Sequence, residues 1–335
     1  SYFSLDSDYE FNGFKVNIFK TFDFPYFIFP GLFHSCNKRR FSKFLKNKNI
    51  TNISFSHSHV SYPSSYLVED LDCKKIVQHH GLDVLQLLNG RSNLIKKIQR
   101  KSLIKNTINQ LNKADLNIGV SKLVLEKLSE FKLYHPKGEY VLYNGVDTSK
   151  FYPKKTIKNQ VFTIGCVANF WEIKDQITLI KSIIILRNKG VNIQARLIGS
   201  GLRLKSCKSF VIENSLSENI FFEKEIAHEK LNDFYNEIDL LVLPSYYEAL
   251  GCVYLESWAT NTVFIAVDGQ GISELIPDEL KLNLLINKSD EFQLSVKINE
   301  IINKIINKNI KFEFDMRYSI KNTISNFLKE NIFHD

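Results

Sequence analysis

Cysteine is scarce in this 335-residue chain, and its scarcity and spacing remove two classes of protein. The five cysteines are Cys36, Cys73, Cys166, Cys207 and Cys252; their number is odd and no two lie at metal-ligand spacing. That argues against a disulfide framework and a zinc ribbon, and a reducing compartment, the cytoplasm, is the expected location. No apolar run reaches the roughly 20 residues that span a bilayer. The most apolar stretch, Phe22 to Phe33, is broken by Pro25 and Pro30. No secretory signal is visible, and neither repeats nor low-complexity tracts are apparent.

What is present is globular: 44% hydrophobic, 13% aromatic and 24% charged residues. The length suggests two domains, at roughly 100–200 residues each. The net charge is +8, and it is unevenly placed. Residues 1–153 carry 22 basic and 13 acidic groups, whereas residues 154–335 carry 22 and 23. An excess confined to one half points to an anionic partner, nucleic acid or a membrane surface.

Strand-like and helical segments alternate along the chain. In the first half, Asn52–Ser56, Lys75–Gln78, Asp115–Val120 and Tyr140–Tyr143 read as strands. Ser92–Asn112 reads as an amphipathic helix, and Ser121 as the cap of another. A break at Phe151-Tyr152-Pro153, followed by the polar stretch Lys154–Gln160, marks the expected domain linker. In the second half the strand-like runs are Phe162–Ala168, Asn192–Ile198, Ile220–Phe222, Leu240–Leu243, Val263–Val267 and Asn283–Ile286, each pair separated by a helical pattern. Near-continuous apolar strands in β–α alternation predict a parallel sheet covered by helices on both faces. The chain closes with the helical stretch Ile320–Phe333. The expected domains are 1–153 and 154–317, with a helix over 318–335 packing back toward the first.

Ligands of such sheets bind beyond the carboxyl ends of the strands, so the residues just after each strand are the candidates. After Leu240–Leu243 come Glu248 and Glu256, seven residues between them, with Gly251 placed to open a helix. Free N–H groups around Leu250, Gly251, Cys252 and Val253 at such a helix start favour a diphosphate. Glu256, near two turns in, can accept hydrogen bonds from a ribose diol, and Glu248 sits nearer a sugar. Read alone, the segment fits equally well a helix with a buried glycine and two solvated acids. Lys174 follows the strand ending at Ala168 and can neutralise a phosphate. Gly199-Ser200-Gly201 and Gly269-Gln270-Gly271-Ile272-Ser273-Glu274 follow two further strands.

These segments, together with Val141-Leu142-Tyr143-Asn144-Gly145-Val146-Asp147, Phe151 and Pro153, resemble the retaining glycosyltransferases of family 4, also called glycosyl transferases group 1, of bacterial type. The resemblance covers about residues 50–335. It implies an α/β protein of two Rossmann-like, doubly wound parallel-sheet domains facing a cleft, the GT-B fold. It implies transfer of a hexosyl group from a nucleotide diphosphate sugar to an acceptor hydroxyl with retention, in bacterial surface polysaccharide synthesis. Residue by residue, Glu256 matches the glutamate that holds the ribose, and Glu248 the one near the donor sugar. Lys174 matches the lysine on the diphosphate. The backbone of Leu250 to Val253 matches the loop cradling phosphate and sugar, and Gly199 belongs to a matching glycine segment. His80, in Gln78-His79-His80-Gly81, matches a histidine facing the cleft, with His79 as the alternative one register away. Glu248, His80 and Lys174 are thus the expected catalytic residues.

The departures are specific. Asn169 stands where the family has arginine, so Arg203 or Lys205 is the expected substitute on the diphosphate. Gln270-Gly271 stands where the family has paired glycines. The family's opening apolar strand and Gly-rich loop have no counterpart in Ser1–Gly13, so the first domain is expected to lack them. No cofactor and no metal are expected. The expected partners are a nucleotide-sugar donor, a lipid-linked or saccharide acceptor, and an anionic membrane surface met by Lys38, Arg39, Arg40, Lys43, Lys46, Lys48, Arg91, Lys96, Lys97, Arg100, Lys101 and Lys105; such a chain is peripheral at the inner face of the membrane. Those cations equally fit solvated helix faces. The alternatives are a non-catalytic relative or truncated inactive form, and a basic nucleic-acid binder stacking bases on Phe41 and Phe44; nucleic acid is not the expected partner.

Overall fold

The central strands of the second unit form where apolar residues run without polar interruption, as in Leu240–Leu243 and Val263–Val267. The computed structural model describes residues 8–11, 13–22, 32–82, 94–155, 160–306 and 312–330. Its contacts divide the chain into two compact units: residues 1–119 with 124–140, and residues 120–123 with 141–335. The division falls ahead of the break expected at residue 153. Phe151 is buried against Tyr235, and the N–H groups of Tyr152 and Lys154 donate to the side chains of Asn232 (3.0 Å) and Asn236 (2.6 Å). These contacts count residues 151–154 with the second unit; residues 156–159 of the expected linker lie outside the described residues.

The first unit opens with the antiparallel pair β1 (Tyr9–Phe11) and β2 (Phe14–Val16). There follow α1 (His34–Asn47), β3 (Phe55–Ser58), α2 (Ser64–Leu67), β4 (Lys74–His79), α3 (Leu94–Lys113), β5 (Leu116–Gly119), α4 (Lys122–Ser129) and β6 (Glu139–Val141). Strands β3 to β6 lie in chain order in one four-stranded sheet, with β3–β4 and β4–β5 parallel. Ile104, Ile108 and Leu111 recur at helical spacing on α3 and pack with Val77, Leu128 and Tyr134 as the core. On α1, Phe41 and Phe44 meet Phe19, with ring centroids 5.1 and 5.3 Å apart, so these rings pack within the unit. Of the basic residues, Lys38 pairs with Glu69 and Asp70, and Lys48 with Asp8. Arg39, Lys43 and Lys46 are exposed on α1. Arg91 and the side chains of Lys96 and Lys97 lie outside the described residues.

The second unit contains β7 (Phe162–Val167), α5 (Gln176–Asn188), β8 (Ile193–Ile198), α6 (Leu204–Glu213), β9 (Ile220–Glu223), α7 (Leu231–Glu237), β10 (Leu240–Leu243), α8 (Cys252–Ala259), β11 (Val263–Val267), α9 (Asp278–Leu284), β12 (Leu285–Ile286), α10 (Glu291–Ile306) and α11 (Ile320–Lys329). Its six strands run in the order β12-β11-β10-β7-β8-β9, every adjacent pair parallel. Every residue of β10 and β11 is buried, as a strand covered on both faces requires. The order reverses between β7 and β10, the first and fourth strands of this sheet, and a crevice opens at such a switch point. Helix α11 starts against residues 145–146: Val146 forms a parallel bridge with Ser319, and the Ile320 N–H donates to the Val146 carbonyl at 2.9 Å. Residues 331–335, the end of the expected terminal helix, lie outside the described residues.

Both units thus have the α/β character and parallel sheets read from the sequence. Strand β12 is shorter than expected because residues 283 and 284 complete α9.

Candidate functional site

A cavity of about 340 Å³ opens at the switch point of the second unit. That is the size class of a small-molecule site. Strand ends and one helix start supply most of its walls: Val167 to Asn169 at the end of β7, Ile198 and Gly199 at the end of β8, Leu243 at the end of β10, and Gly251 to Val253 at the start of α8. Lys174 and Glu248 line it together. Lys174 ends a single 3₁₀ turn, Glu172–Lys174, and Glu248 lies on the loop that follows β10. The Lys174 Nζ is 2.5 Å from Glu248 Oε1, with the two side chains only 25% and 11% exposed. A charge pair this sheltered fixes both groups, since removing either leaves the other uncompensated.

Two glycines shape the walls. Gly251 caps α8 with φ +81°, a left-handed conformation that disfavours side chains, and a Cβ there would lie 2.7 Å from the Tyr254 ring. Gly199, at φ +145°, brings the chain so close to the β7 loop that a Cβ would lie 2.1 Å from the Ala168 carbonyl oxygen. Helix α8 then presents its unbonded N–H groups where the chain turns in from Gly251, a place suited to anionic groups.

Glu256 lies on α8 and is buried. Its Oε2 accepts a hydrogen bond from the Tyr235 hydroxyl at 2.8 Å, and its Oε1 lies 3.1 Å from His228 Nε2. Burial first, and then the Glu256 carboxylate, push the Tyr235 phenol well above its ordinary range, so it stays a donor. The His228 ring in turn packs edge-on against Phe151, centroids 5.2 Å apart. Cys252, exposed at the start of α8, lines the cavity.

Of the residues expected at a site, Lys174, Glu248, Asn169, Gly199, Gly251, Cys252 and Val253 come together around this cavity. Leu250 is buried at 1% exposure just ahead of them. Arg203 lines a separate cavity with Trp171, Asp175 and Tyr246, and its own N–H donates to the Phe170 carbonyl. His80 belongs to the first unit. It is exposed after β4, with its Nε2 3.0 Å from His59 Nδ1, whereas His79 is buried against Asn117 at 3.2 Å. The exposed member of the pair is therefore His80. Among the described residues, no group of three or more His, Cys, Asp or Glu is placed to hold a metal ion.

Glu225 and Ile226 also line the cavity, after β9, although the sequence had not singled them out. The rule that flagged the other strand ends applies to them equally. Tyr235 and His228 had no such signal, because they come from α7 and the turn before it, behind the strand ends.

Residues 147–313 match the family described as Glycosyl transferases group 1. The second unit carries a glycosyl transferases group 1 domain. The chain is also similar to an uncharacterised glycosyltransferase of Methanocaldococcus jannaschii, 28% identical over 254 residues, covering 75% of this chain and 66% of that one. It is similar to the lipopolysaccharide core biosynthesis mannosyltransferase LpsB of Rhizobium meliloti, 28% identical over 170 residues, 47% of this chain and 48% of that one. These matches thus span less than two thirds of the relatives' own lengths. In fold, the chain is like sucrose-phosphate synthase from Thermosynechococcus elongatus, with TM-score 0.69, 17% identity, and coverage of 90% of this chain and 79% of that one. It is equally like Anabaena HepE in complex with UDP and glucose, with TM-score 0.69, 14% identity, and coverage of 90% and 83%. The glycosyl transferases group 1 domain accounts for the six-stranded sheet and for every residue lining the cavity.

Proposed function

We propose that this protein is a retaining hexosyltransferase that moves a sugar from a nucleotide diphosphate donor to an acceptor hydroxyl. The observation that carries the reading is the sheltered Lys174–Glu248 pair beside the start of α8, in one cavity at the switch point of the sheet. Departure of the diphosphate develops negative charge, and a fixed cation with helix N–H groups stabilises it without reorganisation. In this reading those groups meet the diphosphate charge, and no metal takes part. The relatives named for sugar transfer support the same chemistry, and the mannosyltransferase of lipopolysaccharide core synthesis supports a place in surface polysaccharide synthesis with a lipid-linked saccharide acceptor.

The test is thermal stabilisation by a panel of nucleoside diphosphates and nucleotide sugars, followed by mass spectrometry of the transfer product. A ligand at a hundred times its Kd adds about 2.7 kcal/mol. No shift with any member of the panel removes the reading.

Glu256 holds the ribose in this reading. A carboxylate offers about four acceptor positions, and Tyr235 and His228 take two. The rest remain for a diol. Glu256→Ala is expected to weaken nucleoside diphosphate affinity about tenfold to a hundredfold, the worth of hydrogen bonds to a charged group. Calorimetric titration checks it, and an unchanged Kd takes the ribose from Glu256.

The anionic surface is the proposed docking partner of the first unit. Arg39, Lys43 and Lys46 recur at helical spacing on α1 and are exposed, which supports contact with acidic lipid headgroups. No helix among the described residues is long and apolar enough to cross a membrane. Replacing all three by glutamine is expected to cost about 3 kcal/mol of binding to anionic vesicles. Co-sedimentation that does not depend on anionic lipid content would sink the proposal.

A further inference from the structure

Gln270 does something no glycine at its place can do. It lies between β11 and a 3₁₀ turn, Gly271–Glu274, and is buried to 8% exposure. Its Oε1 accepts the N–H of Glu248 at 2.6 Å, and its Nε2 donates to the carbonyl of Tyr246 at 3.3 Å. The two ends of one amide thus bridge a donor and an acceptor two residues apart on the same loop. This fixes which end is oxygen, since a flipped amide would face N–H with NH₂. The Gly271 N–H adds a third tie, donating to the Glu248 carbonyl at 3.1 Å. The backbone of Glu248 is therefore held on both sides from the β11 loop, while its side chain is held by Lys174.

We infer that Gln270 is a positioning residue for this site: its side-chain amide sets the place of Glu248. The inference rests on the proposed reading, in which Glu248 meets the donor sugar. The loop from Pro244 to Gly251 has no regular structure of its own, and a loop carries a reactive group accurately only when neighbouring side chains hydrogen-bond it in place. Two bonds from one buried side chain add to the ties that the Gly271 N–H makes to the Glu248 carbonyl and the Tyr246 N–H to the Ile173 carbonyl. The nucleoside end of the donor is met elsewhere, at Glu256, so the effect should divide between substrate parts.

The variants are Gln270→Met, which keeps the shape and loses both hydrogen bonds, and Gln270→Glu, which keeps an acceptor for the Glu248 N–H. Gln270→Met is expected to lower kcat with a nucleotide sugar about tenfold to a hundredfold, the scale of a small misplacement of a reacting group. The Kd for the nucleoside diphosphate alone should stay within twofold of wild type, and Gln270→Glu should recover part of the rate. Hydrogen exchange of peptides spanning 244–252 should rise in Gln270→Met and stay unchanged across β8 and β11. The inference is overturned by a kcat within threefold of wild type, by parallel losses in nucleoside diphosphate affinity and rate, or by unaltered exchange in that loop. If the wild-type protein turns over no nucleotide sugar, the proposed function fails, and the exchange measurement still decides whether Gln270 holds the loop.

Discussion

Lys174→Ala is expected to lower kcat by about 10²–10³, the loss seen when one preorganised group facing developing negative charge is removed. Two effects combine. The cation that faces the departing diphosphate is gone, and Glu248, whose side chain is 11% exposed, is left as an unpaired acid in the same cavity. The second effect works against any anion bound there, so affinity for the nucleoside diphosphate falls together with the rate. The two can be separated. Glu248→Gln alone removes the acid and leaves the cation free to face the phosphates. The double variant Lys174→Ala with Glu248→Gln removes the cation without leaving an unpaired charge. If charge repulsion contributes, the double variant binds nucleoside diphosphate more tightly than Lys174→Ala does. Its rate should still stay low, because the stabilising cation is absent. Steady-state kinetics with titration calorimetry on the three variants give the coupling as a double-mutant cycle. A Lys174→Ala enzyme with a kcat near wild type would show that the pair is a structural tie and no part of the chemistry.

The residues of this pair were legible because they follow strands. The run Leu240–Leu243 is apolar at all four positions and bounded by Asp239 and Pro244, so its limits could be read to the residue. Once the strand was fixed, Glu248 had to lie beyond its carboxyl end. The same holds for Val263–Val267 and the loop carrying Gln270. The hairpin at residues 9–16 was not legible, since its three-residue strands are too short to show alternation. Nor could sequence give the partners of Glu256. Tyr235 and His228 precede it by 21 and 28 residues, and only the packing of α7 and the turn before it beside α8 brings them together. Strand ends announce themselves through hydrophobic pattern, whereas the side chains behind them depend on helix packing that no local pattern encodes. Gln270 falls between these cases. Its place after a strand was visible, but its function depends on an amide meeting a loop 22 residues away.

Trp258→Ala is the second large effect, and it reaches the site through α8. Trp258 is 2% exposed and stands at the centre of an aromatic cluster. Phe312 stacks on it with centroids 5.5 Å apart, Phe314 meets it edge-on at 5.7 Å, and Phe264 and Tyr318 close the remaining sides at 6.4 and 6.0 Å. Its Nε1 donates to the Glu313 carbonyl at 2.8 Å. One side chain on α8 therefore fastens residues 312–318, which lead into α11, to the sheet strand β11. Truncating a buried tryptophan costs about 3–5 kcal/mol, and for a unit of this size that lowers Tm by roughly 10 °C. Trp258→Phe keeps most of the apolar contact and loses the hydrogen bond, so it should cost about 1–2 kcal/mol. Because Glu256 lies two residues before Trp258 on the same helix, the alanine variant should also bind nucleoside diphosphate less tightly well below its Tm, and saturating nucleotide should recover part of the lost stability. Limited proteolysis supplies a local readout: cleavage near residues 312–318 should appear in Trp258→Ala before the rest of the second unit opens. A variant that loses less than about 1 kcal/mol, or that is cut no faster there than wild type, would mean that the terminal segment is held by the pairing of residues 145–146 with 319–320, and that α8 stands without it.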